Sequence, residues 1–171
     1  MPPDSHDLIR SALTGQHLAD YVARLTEVFR KHGTRGTWYA HASVGTLHVR
    51  PILDMRQAGE NSGAKKMRLI AEEAALMVRG YKGAFSGEHG DGLVRSEWVA
   101  WQFGPRLTRS FEEIKSLFDP DGLMNPGKIV RPPKMDDAAL FRYPPGHANL
   151  PVATALDWSA WNVNGDAASG G

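Results

Sequence analysis

Between residues 16 and 32, apolar side chains recur at Leu18, Val22, Leu25 and Phe29 with charged residues between them. That spacing is the stripe of an amphipathic helix, and Gly33 follows where a C-cap belongs. The period then shortens. Residues 36–41 and 46–53 are rich in β-branched and aromatic side chains around a turn at Val44-Gly45, so they predict a β-hairpin. After a polar loop at 59–63, helical spacing returns over 64–80, with Met67, Ile70, Ala71, Ala74, Met77 and Val78 as its apolar stripe. Residues 83–86 read as a short strand that runs into a glycine-rich loop, 87–92. Two further helices are predicted at 96–103 and 106–118, separated by Pro105; the second carries Leu107, Phe111, Ile114 and Phe118. Asp119-Pro120-Asp121-Gly122 ends it with turn chemistry. Residues 1–15 are irregular and no internal repeat is visible. The order helix, hairpin, helix, strand, helices is α+β, with helices packed on a small antiparallel sheet.

Past residue 131 the character changes. Pro132-Pro133, Pro144-Pro145 and a Gly/Ala/Ser/Asp-rich end predict an extended tail or linker over 132–171, after a globular portion over 1–131. At 171 residues and 42% hydrophobic, the chain can build one ordinary core. A formal net charge of +1 argues against nucleic-acid or membrane-surface binding, which needs a basic excess on one face. The absence of cysteine excludes disulfides, iron–sulfur ligation and thiolate zinc sites within this chain. No apolar run is long enough to cross a membrane and no signal-peptide pattern opens the chain. The cytoplasm is the expected compartment, with any contact to the inner membrane peripheral and made through partners.

Candidate chemistry gathers in the hairpin and the glycine-rich loop. If the hairpin turns tightly about Val44-Gly45, His41 lies directly across from His48, with Cβ atoms about 4.5–5.5 Å apart on one face. Two imidazoles there could share a metal ion, and Glu88 could supply a third ligand. Two His and a carboxylate with an open position is a donor set of catalytic zinc. Alternatives stand beside this reading. Histidines on a half-buried strand are often merely hydrogen-bonded, and residues 87–92 could be a tight turn or an anion-binding nest ahead of a helix.

Three blocks resemble a known family: Tyr39-Ala40-His41-Ala42-Ser43-Val44-Gly45-Thr46-Leu47-His48-Val49-Arg50-Pro51; Ser86-Gly87-Glu88-His89-Gly90-Asp91-Gly92; and Asp119 through Asn125-Pro126-Gly127-Lys128-Ile129. Together, and in this order, they look like the FAD-linked oxidase C-terminal domain of vanillyl-alcohol oxidase type flavoproteins. Members of that family act on D-lactate, glycolate or D-2-hydroxyglutarate. The resemblance implies a ferredoxin-like cap, incomplete here, in an FAD-dependent 2-hydroxyacid dehydrogenase. It implies that His41, His48 and Glu88 bind a divalent metal, zinc in such enzymes, which holds the substrate near the flavin. His89 matches the base that takes the hydroxyl proton as hydride leaves for the flavin; an unperturbed pKa of about 6.5 suits that task.

Arg50 stands where several members carry Asn. A guanidinium there could clamp the second carboxylate of a dicarboxylic 2-hydroxyacid. Arg95 is a weaker candidate for the same work, or else a partner of Glu97 or Asp91. Asn125 and Lys128 match a block that passes close to the flavin. Residues 134–146 resemble long bacterial members that carry an Fe–S domain, so an Fe–S domain or subunit is the expected electron acceptor. FAD in this family is held chiefly by an N-terminal domain, and nothing in these residues resembles its phosphate-binding loop. The chain therefore reads as a part of a longer protein, inactive alone, with uncovered apolar sheet surface through which it forms a homodimer. The competing readings are a non-catalytic metal- or anion-binding module that regulates a partner, and a purely structural cap.

Overall fold

The computed structural model describes residues 12–87 and 89–141, together with Gly146 and Ala155. Helix α1 spans Leu18–Lys31 and buries Leu25 and Phe29 of its predicted stripe together with Tyr21 and Val28, while Leu18 and Val22 are partly buried against the core. It ends as the sequence suggests: Gly33 takes φ +66°, and its N–H donates to the Arg30 carbonyl at 3.0 Å. Strands β1, Gly36–His41, and β2, Thr46–Pro51, form an antiparallel hairpin. Helix α2, Gly63–Gly80, starts at Ser62, whose hydroxyl accepts the Lys65 N–H at 3.3 Å. Its buried face is Met67, Ile70, Ala71, Ala74, Ala75 and Val78. The alanines leave room for the large α1 side chains, since protein cores fill space at crystal-like density. Leu47 and Val49 of β2, with Phe85, complete the core.

The sheet continues beyond β2 through single residues. Ala12 bridges antiparallel to Thr46 on one side and Ala84 on the other. The Ala12 and Ala84 amides exchange hydrogen bonds of 3.0 Å, and Leu13 N–H donates to the Gly45 carbonyl at 2.9 Å. In chain order Ala12 precedes α1 and Ala84 follows α2, so the sequence of elements is β-α-β-β-α-β, the ferredoxin-like order. The spatial order is β1, β2, Ala12, Ala84. The fold is α+β and incomplete, because two of the four strand positions, at Ala12 and Ala84, are single bridges among the described residues. The strand expected at 83–86 is, among the described residues, a bridge from Ala84 to Ala12.

The helices expected at 96–103 and 106–118 are present on either side of a break: α3, Gly92–Arg95, and a 3-10 turn at Ser96–Trp98 lead into α4, Val99–Phe118, whose two helical stretches meet at a kink. The kink falls at Gly104, with φ 77° and ψ 173°, just ahead of Pro105; proline disfavours the helical conformation in the residue before it. Apolar side chains stand exposed on α4 as well as on the hairpin, where Tyr39 is 46% and Val44 66% exposed. Leu107 (46% exposed), Ile114 (56%) and Phe118 (73%) face outward, while Leu47, His48 and Val49 of β2 are buried. The start of the expected tail is docked: Met135 is in the core, and Asp136 pairs with Arg68 of α2 at 2.8 Å.

Candidate active site

The hairpin divides its two faces cleanly. Trp38, Ala40, Leu47 and Val49 share one face by register, and Trp38 meets Phe29 of α1 with ring centres 5.6 Å apart. The opposite face carries the paired positions Thr37 and Arg50, Tyr39 and His48, His41 and Thr46. His48 therefore faces Tyr39 and not His41. The reason is the connection: Ala42–Val44 forms a 3-10 turn, closed by Gly45 at φ 68° and ψ 18°. This moves the turn's centre by one residue and the pairing by two. An even shift preserves the face, because side chains alternate with a period of two. His41 and His48 thus remain diagonal neighbours, their ring centres 5.2 Å apart.

The glycine-rich loop brings His89 to the same place, its ring centre 5.1 Å from that of His48. Arg95, buried at 7% exposure, donates to the Gly90 carbonyl at 2.5 Å and pins the loop. Ser96 Oγ donates to the Gly92 carbonyl. Below, Phe85 packs on Trp98 with ring centres 5.5 Å apart, and its N–H donates to Gln102 Oε1 at 3.1 Å. Glu97, suggested as a partner of Arg95, is instead engaged by Arg68 and Lys134. The helix after the loop, α3, has only four residues, a slight base for an anion site built on a helix dipole.

Two imidazoles bound to one tetrahedral ion, each nitrogen about 2.0–2.1 Å from it, have ring centres about 5 Å apart. The His41–His48 spacing fits that arrangement. Glu88, the expected third ligand, lies outside the described residues, and among those described no group of three His, Cys, Asp or Glu side chains is placed to hold a metal. The ring contacts run in a chain, His41 to His48 to His89.

Arg50 lies on the same face and donates to the Tyr39 hydroxyl at 2.8 Å, with its guanidinium carbon 5.1 Å from the Tyr39 ring centre. Tyr39 was not among the residues singled out from sequence. Its ring stacks on His48 at 4.4 Å and 6°, and the signal that could have found it is its i−2 position to His41. Asn125 (φ 46°) and Lys128 sit on the loop after α4. That loop is tied to the start of the 3-10 turn by the Ile129 N–H, which donates to Ser96 Oγ at 2.9 Å. No described contact joins Asn125 or Lys128 to the histidines.

The described residues form a ferredoxin-like α+β unit with three histidines gathered beside one hairpin face. The chain is a member of the family described as FAD linked oxidases, C-terminal domain, whose profile matches residues 7–129. D-2-hydroxyglutarate dehydrogenase of Escherichia coli (strain K12) is 32% identical over 157 residues, covering 88% of this chain and 15% of that protein. D-2-hydroxyglutarate dehydrogenase of Pseudomonas putida (strain KT2440) is 37% identical over 122 residues, 71% of this chain and 12% of that protein. Glycolate oxidase subunit GlcD of Escherichia coli (strain K12) is 33% identical over 121 residues, 71% of this chain and 23% of that protein. The chain spans less than a quarter of the length of these relatives. No helix among the described residues is long and apolar enough to cross a membrane.

Proposed function

We propose that this chain forms the substrate side of an FAD-dependent 2-hydroxyacid dehydrogenase. The observation that carries the reading is the meeting of His41, His48 and His89 from two separate segments, with ring centres 5.2 and 5.1 Å apart. His41, His48 and Glu88 would hold a divalent ion, zinc by preference. Bound there, the ion would supply Lewis acidity to the substrate's hydroxyl and carboxylate, and FAD, held mainly by an N-terminal domain, would accept the hydride from the α-carbon. His89 takes the hydroxyl proton at an imidazole nitrogen. Arg95 keeps the His89 loop closed through the Gly90 carbonyl, and Arg50 clamps the far carboxylate of a dicarboxylic substrate. Two of the relatives are named for D-2-hydroxyglutarate, which is dicarboxylic and supports that choice. Asn125 and Lys128, on the loop after α4, would help to hold the flavin when it is bound. The electron acceptor we infer is an Fe–S domain or subunit. The match to the Escherichia coli dehydrogenase, 157 residues, is longer than the domain match at 7–129 and so takes in sequence beyond the domain.

Metal content, measured by elemental mass spectrometry, tests the ligand set. Near-stoichiometric zinc or manganese that is lost in His41→Ala/His48→Ala is the expected result; metal retained in the double variant would remove the hairpin from the site. With the flavin-binding domain present, His89→Ala is expected to reduce hydroxyacid-dependent flavin reduction by about 10²–10⁴-fold, and unchanged reduction would remove His89 from the mechanism.

A further inference from the structure

One ring contact on the hairpin's polar face is left unused by the roles above. Tyr39 lies flat on His48, with ring centres 4.4 Å apart and planes 6° from parallel. His48 is 1% exposed, whereas Tyr39 is 46% exposed. The tyrosine is therefore the cover over one face of a buried imidazole. Its other end is equally engaged: the hydroxyl accepts from Arg50 at 2.8 Å, and the guanidinium carbon lies 5.1 Å from the ring centre. A single rigid side chain with two torsions thus touches both the imidazole and the guanidinium.

We propose that Tyr39 is a positioning residue that sets substrate selectivity, holding the Arg50 guanidinium at a fixed place relative to His48. This rests on the reading of the hairpin face as the substrate site. A guanidinium is planar and presents its donors in a rigid fork, so anchoring it at one hydrogen bond fixes the plane in which a carboxylate can be met. Arg50 has a long, flexible stem, and freezing it in advance removes an ordering cost from binding. The strand supplies the geometry: Tyr39 is paired directly with His48, and Arg50 is two residues further along β2 on the same face. The distance between an ion held at His48 and a carboxylate held at Arg50 is then set by one aromatic ring. A two-carbon spacer between carboxylate and hydroxyl-bearing carbon would be told from none at all. The selected class is the dicarboxylic 2-hydroxyacid, against the monocarboxylic one.

The stack and the hydroxyl contact separate by substitution. In the full chain, Tyr39→Phe retains the ring on His48 and loses the hydroxyl acceptor; Tyr39→Leu loses both. Calorimetric titration with zinc alone, then with 2-hydroxyglutarate or lactate on the zinc-loaded chain, reads each part. Tyr39→Phe is expected to hold zinc as the unsubstituted chain does, with the same thermal midpoint, and to lose about 5- to 10-fold in its preference for 2-hydroxyglutarate over lactate. Tyr39→Leu is expected to weaken zinc binding by about 10-fold as well, because the His48 ring loses its cover. An unchanged preference in Tyr39→Phe, or unchanged zinc affinity in Tyr39→Leu, overturns the proposal while leaving the site itself standing. An unsubstituted chain that takes up neither zinc nor hydroxyacid overturns the reading of the site and this proposal with it.

Discussion

Glu97 joins three separate segments through one carboxylate. Arg68 of α2 meets it with a two-pronged contact, Nη1 to Oε2 at 3.0 Å and Nη2 to Oε1 at 2.8 Å. Lys134 Nζ lies 3.0 Å away, and the Met135 N–H donates to it at 2.9 Å. The Arg68 hydrogen bonds hold the Glu97 carboxyl far below its ordinary 4.5, at about 2, with the Met135 amide and Lys134 helping against the cost of burial. A folded-state pKa below the unfolded one gives stability that is fully present above the unfolded value and is lost as pH falls through the folded one. Stability is thus expected to drop between about pH 5 and pH 2. Glu97→Gln should cost about 1–3 kcal/mol at pH 7 and flatten that drop. Urea midpoints measured at pH 7, 4 and 3 check both, and parallel curves for the two proteins would show that Glu97 carries none of the acid sensitivity. Nothing in the local sequence announces this cluster, since its members are separated by 29 and 68 positions.

At the scale of elements, the hairpin turn decides most. Gly45 is left-handed at φ 68°, and a Cβ there would sit on the Leu13 carbonyl. Both facts demand glycine: the first for its backbone freedom, the second because the Ala12–Leu13 segment docks against this turn. Gly45→Ala should lower stability by about 2 kcal/mol or more, read as a fall in the thermal midpoint. Because the turn fixes the pairing, it should also lower metal uptake at His41 and His48; a variant with an unchanged midpoint would show that the turn tolerates a side chain. The periodicities of α1, α2 and the hairpin were legible from sequence, and so was the face shared by both histidines. The register was not, because a 3-10 turn and a two-residue turn are compatible with the same residues at 42–45. The partnering of His48 with Tyr39 followed only from the register.

For the whole molecule, the informative surface is α4. Its stripe of Leu107, Ile114 and Phe118 has the spacing of a buried helix face and stands 46%, 56% and 73% exposed. Large contiguous apolar patches mark surfaces that meet another body. Self-association of the chain is therefore expected through α4. Ile114→Glu with Phe118→Glu should shift light scattering toward monomer with little change in thermal midpoint, as neither side chain is in the core. A clean monomer for the unsubstituted chain at high concentration would count against α4 as a self-associating face.

Local pattern determined the helices of residues 18–31 and 63–80, the two strands, the glycine-rich loop and the candidate ligands His41, His48 and Glu88, because period and turn chemistry act over a few residues. It also carried the family, whose three blocks are contiguous words in the chain. Tertiary structure alone decided that Ala12 lies between Thr46 and Ala84, that His89 reaches His48, that Tyr39 covers it, and that Arg68 unites α2 with Glu97 and Asp136. Each of those is a meeting between segments brought together by burial of the shared core, and hydrophobic burial has no direction of its own; the contacts that result are fixed only when the chain has packed.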